Sequence, residues 1–249
     1  MLTTVADNSN FKGAGTNLNI IDFAKDLLLR MLVFSGGVND KCTPIGRQPI
    51  IFVAHSMGGL VVKKAYVLGK HDGEYSDIIS KTQGIVFLAT PHRGAQYAKM
   101  LNNILSTTPF YAPPKGYIDD LDIHSRMLQD INEQFRTQCG ELPLVSFFET
   151  MRTSLGLKQA IIVEKESGVL GYAHEISSPL NADHHSICKF KSKEDDNYQY
   201  VRDVLKLWAS RLAPLNPPRK CLRNIFYFLF TFEFMLEAEP ILHKTNGQL

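Results

Sequence analysis

The sequence predicts an α/β fold: a mostly parallel sheet with helices on both faces. Two observations carry that expectation. Pro49-Ile-Ile-Phe-Val-Ala54 and Gly84-Ile-Val-Phe-Leu-Ala89 are unbroken apolar runs. Such runs mark strands buried on both faces, as a parallel sheet requires. Segments of helical periodicity alternate with them, which is the pattern of a sheet covered by crossover helices. The chain has 249 residues, 44% hydrophobic and 21% charged, enough for a sizeable core. That composition excludes intrinsic disorder, which needs few apolar residues and a high net charge. A net charge of +2 offers no dominant basic face to recruit nucleic acid.

The elements follow in order. Leu2 to Ala6 suits a short strand. Ile20, Phe23, Ala24, Leu27, Leu28 and Met31 recur at helical spacing, and Ser35-Gly36-Gly37 ends that helix. After the strand Pro49 to Ala54, Met57 to Leu68 reads as a helix with Leu60, Val61, Ala65 and Leu68 on one side. Gly84 to Ala89 is the next strand; Leu144 to Phe148 and Ala160 to Val163 suit a third and a fourth. Pro109 to Asp120, with Pro113-Pro114, interrupts the pattern as a lid or an ordinary excursion, and Met127 to Phe135 after it is helical. Glu194 to Leu212 is an amphipathic helix, with Asp195 and Asp196 favourably placed at its start. Pro214 to Lys220 then breaks the pattern. This divides the chain into residues 1–212, one α/β domain, and 213–249, an atypical tail.

Chemistry concentrates at Val53-Ala-His-Ser-Met-Gly-Gly59. Ser56 stands between an apolar strand and a helix, the setting in which a tight strained turn presents a nucleophilic serine. Small residues, here Ala54 and Gly58, let strand and helix approach. The N–H of Met57, at the helix start, points where an oxyanion would develop. A serine nucleophile needs a base, and the base an orienting carboxylate. Glu164 and Glu166 follow the fourth apolar run. His184 and His185 follow them, with His184 the favoured base. Spacing does not separate Glu164 from Glu166. His55 and His92, the latter in Thr90-Pro-His-Arg-Gly94 at a strand's carboxyl end, are substrate-pocket candidates. No helical His-x-x-x-His spacing supports a metal site.

Together "PIIFVAHSMGGLVVKKA", "GIVFLATPHRGA" and "DHHSICKF" resemble the lipase-like α/β-hydrolases of the fungal type, many of which sit at the front of larger fungal proteins. These include the serine-active-site-containing proteins and relatives of the glycosylphosphatidylinositol inositol-deacylase. The resemblance implies an α/β-hydrolase fold over about residues 1–212. It implies Ser56 as nucleophile and His184 as base. It selects Glu166 as the acid, through Val163-Glu-Lys-Glu-Ser167. It further implies hydrolysis of a lipid or other ester, or acyl exchange between phospholipids, with no metal or organic cofactor. Lipid metabolism at a mitochondrial or endoplasmic-reticulum membrane, or in the cytoplasm, is the implied setting. Relatives begin with a strand ending in a His-Gly loop that donates a second oxyanion N–H. No such segment precedes Met1 here, so the sheet is expected to lack its first strands and that loop, as in an N-terminally truncated chain.

A non-catalytic, hydrolase-like binding or regulatory module is the alternative to a serine esterase. The N-terminus has no basic, apolar leader of the secretory kind. Cys42, Cys139, Cys188 and Cys221 are widely spaced and read as reduced thiols of an intracellular protein. Ile225 to Leu236, with Arg219, Lys220 and Arg223, suits either a peripheral membrane-contacting segment or a disordered tail.

Overall fold

The computed structural model describes residues 2–4, 19–33, 49–93, 126–155, 157–212 and 226–230. In chain order these form β1 (Leu2–Thr4), α1 (Ile20–Val33), β2 (Ile50–His55), α2 (Gly58–His71) and α3 (Ser76–Ser80). Next come β3 (Thr82–Leu88), α4 (Arg126–Gln138), β4 (Leu144–Glu149), β5 (Thr153–Leu155) and β6 (Lys158–Ala160). The last are α5 (Lys165–Gly168), β7 (Glu175–Leu180), α6 (Asp196–Leu212) and β8 (Phe226–Phe230). Six strands make one parallel sheet in the order β1-β8-β2-β3-β4-β7; β5 and β6 form a separate antiparallel pair.

The two apolar runs are the sheet's centre. Every residue of β2 is buried, and β3 is buried except at Gln83. Successive side chains of a strand point to opposite faces. Gly84 of β3 meets the Trp208 ring of α6, whereas Phe87 meets Phe135 of α4, so these two helices cover opposite faces. A Cβ on Gly84 would lie 2.4 Å from Trp208, which is why glycine stands under the indole. The first helix buries Ile20, Phe23, Ala24, Leu27, Leu28 and Met31, the stripe its periodicity predicts. It opens with a reciprocal cap: Asp22 N–H donates to Asn19 Oδ1 and Asn19 N–H to Asp22 Oδ2, both at 3.0 Å. At the start of α6, Asp195 accepts the N–H groups of Asn197 and Tyr198.

Two expectations are corrected. Ala160–Val163 is not a strand of the main sheet; only Lys158–Ala160 is extended, in the β5–β6 hairpin. The fourth place belongs to β7, Glu175-Ile-Ser-Ser-Pro-Leu180, an edge strand and half exposed. An edge strand buries little on its outer side and tolerates proline, so it shows no apolar run. Within the segment 225–236, expected to contact a membrane or to be a disordered tail, the described residues 226–230 form a strand. As β8 they pair with β1 on one side and β2 on the other, Ile50 opposite Phe226 through Ala54 opposite Phe230. The segment 109–120 lies outside the described residues.

Candidate functional site

The site grows from the carboxyl end of β2. Ser56, the next residue, has φ 52°, and Ala89, just past β3, has φ 44°. Both lie in the left-handed region, which costs a non-glycine residue about 1–3 kcal/mol and persists only where surroundings enforce it. Here the Ser56 N–H donates to Leu88 O at 2.9 Å, tying the turn to the neighbouring strand. Two residues later the chain is α-helical. A Cβ on Gly59 would sit 2.3 Å from Thr90 Oγ1, so only glycine lets α2 start this close to the loop after β3.

On a loop after β7, His184 brings Nε2 to 2.9 Å from Ser56 Oγ. Its Nδ1 lies 3.0 Å from Oε2 of Glu149, the last residue of β4. The other oxygen of that carboxylate, Oε1, accepts the backbone N–H groups of Ile162 and, at 2.7 Å, Val163. Ser56, His184 and Glu149 are 2%, 1% and 3% exposed, so their hydrogen bonds act in a medium of low dielectric. The order in the chain is Ser, Glu, His.

Glu166 is therefore corrected as the partner of His184. It lies exposed on α5, where its backbone oxygen accepts Arg93 Nε. Glu164 is also exposed and caps the same short helix with its carbonyl. Because Ala160–Val163 is not a sheet strand, the residues after it are not at a strand end facing the crevice. Instead, the N–H groups of Ile162 and Val163 bind the carboxylate that is. The signal missed is Glu149 itself, a charge ending the apolar run Leu144 to Phe148. Carboxyl ends of parallel strands are where a crevice forms.

Met57 follows Ser56 directly and caps α2 at its N-terminus. His55 is fully buried, with Nε2 2.8 Å from the His184 carbonyl oxygen. His185 is half-buried, its ring 6.1 Å from that of His184. His92 belongs to a different cluster. Its Nδ1 is 3.1 Å from Lys63 Nζ, which also donates to Asn132 Oδ1 at 2.6 Å. Asn132 in turn donates to the His92 carbonyl. Burial, reinforced by Lys63, holds the His92 imidazolium well below its ordinary range; burial also lowers the Lys63 ammonium to about 7. This cluster braces α2, α4 and the loop after β3. Among the described residues, no group of three or more His, Cys, Asp or Glu could hold a metal ion.

The chain is similar to Protein SERAC1. It is 33% identical to that of Danio rerio over 193 residues, 31% to that of Bos taurus over 197 and 30% to that of Homo sapiens over 192. These alignments cover 74%, 76% and 74% of the chain. The chain spans 27%, 28% and 27% of the length of Protein SERAC1 in these three species. No family model and no solved structure matches. Among the described residues, no helix is long and apolar enough to cross a membrane.

Proposed function

We propose that this chain is a serine hydrolase acting on a carboxylic ester. Ser56 is its nucleophile, His184 its general base and acid, and Glu149 the carboxylate that orients His184. The observation carrying this reading is the unbroken hydrogen-bond chain from Ser56 Oγ through both nitrogens of His184 to Glu149. A carboxylate only accepts, so Nδ1 bears the proton and Nε2 is left with a lone pair toward the hydroxyl. Ser56 Oγ attacks the ester carbon as its proton passes to Nε2. The tetrahedral oxyanion takes the Met57 N–H, from the residue after the nucleophile. Collapse breaks the ester C–O bond, and the imidazolium returns its proton to the departing alkoxide. Water then attacks the acyl-enzyme by the same route and releases the acid; a second alcohol in its place gives acyl exchange.

The resemblance of the three motifs to lipase-like hydrolases supports a lipid-like acyl ester as substrate, and contact with a membrane periphery. Residues 1–212 with β8 form the hydrolase unit. A fluorophosphonate probe and a soluble p-nitrophenyl ester test the reaction on the full chain. Expected are labelling and turnover that vanish in Ser56→Ala. An unlabelled wild type, or equal labelling of Ser56→Ala, leaves the binding-module alternative standing instead.

A further inference from the structure

His184 is a base carried on a loop, and loops hold side chains less firmly than strands or helices do. This one is gripped by its main chain. Its N–H donates to Thr153 Oγ1 at 3.1 Å, and its carbonyl oxygen receives Nε2 of His55 at 2.8 Å. Carbonyl oxygens only accept, so His55 bears its proton on Nε2. The grips come from two different elements. Thr153 begins the small β5–β6 hairpin, whereas His55 ends β2 and directly precedes Ser56. The His55 ring also lies against that of His184, centroids 4.9 Å apart at 45°. Thr153 is 2% exposed and His55 is fully buried.

We propose that His55 and Thr153 are positioning residues that clamp His184 by its own peptide groups and so set the distance between its Nε2 and Ser56 Oγ. The proposal rests on the hydrolase reading above. With both backbone groups pinned, only two side-chain torsions remain to place the imidazole, and Glu149 fixes the ring's orientation. Because His55 and Ser56 are consecutive, one rigid strand end carries both the hydroxyl and the hook for the base. The β5–β6 hairpin thereby acquires a task its small size does not suggest: it brings one hydroxyl to the backbone of the loop.

The test compares isosteric losses with conservative rescues. Thr153→Val keeps the shape and removes the acceptor; Thr153→Ser keeps the acceptor. His55→Phe keeps the bulk and removes the donor; His55→Gln keeps an N–H near the position of Nε2. A displacement of the base by an ångström costs about a hundredfold. Thr153→Val and His55→Phe are expected to lower kcat and the fluorophosphonate labelling rate by about 10- to 100-fold, with KM unchanged. Thr153→Ser and His55→Gln should stay within a few-fold of wild type. Proton NMR follows the downfield Nδ1 proton shared by His184 and Glu149, expected to broaden or shift in the two loss variants alone. Circular dichroism at 15 °C selects conditions under which each variant is folded. Folded Thr153→Val with wild-type kcat, labelling rate and proton signal would mean the contacts serve stability only, and the clamp is overturned. An unlabelled wild type overturns the hydrolase reading and the clamp with it. A labelled wild type with unaffected variants overturns the clamp alone.

Discussion

Exchanging Glu149 for Gln tests the carboxylate that meets His184, proposed above as its partner, against the one expected from the sequence. Oε1 of Glu149 accepts two backbone N–H groups, and Oε2 faces His184 Nδ1 at 3.0 Å. A glutamine at this position keeps its oxygen toward the two amides, because its NH₂ would meet donors there. The NH₂ is then presented to Nδ1, which must become an acceptor. The imidazole shifts its proton to Nε2 and can no longer take the Ser56 proton. In serine hydrolases a wrong tautomer of this kind costs about 10⁴-fold in kcat, or about 5 kcal/mol in the barrier. Loss of charge from the bonds to Ile162 and Val163 adds a stability cost of about 1–3 kcal/mol. The assay is p-nitrophenyl ester turnover for wild type, Glu149→Gln and Glu166→Gln, with thermal melts to show that each is folded. Glu166→Gln should match wild type. Glu149→Gln within threefold of wild type, or a large loss in Glu166→Gln, refutes the assignment.

Three further outcomes follow from packing, burial and pairing. Gly84→Ala places a methyl 2.4 Å from the Trp208 ring and should cost about 1–3 kcal/mol by overpacking, read as a lower denaturant midpoint with m unchanged. A midpoint equal to wild type would show that α6 yields freely. Burial lowers the Lys63 ammonium from 10.5 to about 7, so between those values the folded chain holds fewer protons than the unfolded one. Stability from this group must therefore rise with pH across that window and level off below it, with a slope of at most about 1.4 kcal/mol per pH unit. Denaturation at pH 7 and pH 9 should show that rise in wild type and a smaller one in Lys63→Met; equal rises contradict it. Phe228→Pro removes an N–H from a strand paired on both sides, opposite Thr3 and Phe52, and should lower Tm sharply and promote aggregation. Phe228→Tyr should not, and an unchanged Tm in the proline variant would mean that β8 does not hold the sheet together.

Local pattern determined much of this protein. Apolar runs buried on both faces named β2 and β3, and a stripe repeating every three or four residues named α1, because such periodicities follow from backbone geometry alone. The tight turn at Ser56, between strand and glycines, was also legible, since a strained turn restricts the residues that can form it. Tertiary structure decided what depends on partners remote in sequence. Glu149 ends an ordinary apolar strand, and nothing local says that its carboxylate meets the imidazole of residue 184 while two amides from residues 162 and 163 hold its other oxygen. Edge strand β7 carries no apolar run because, among the described residues, no strand pairs with its outer side. Strand β8 shares no pattern with the domain, yet it lies between β1 and β2. Periodicity tells a segment which of its own faces is dry; it does not name the segment that will dry it.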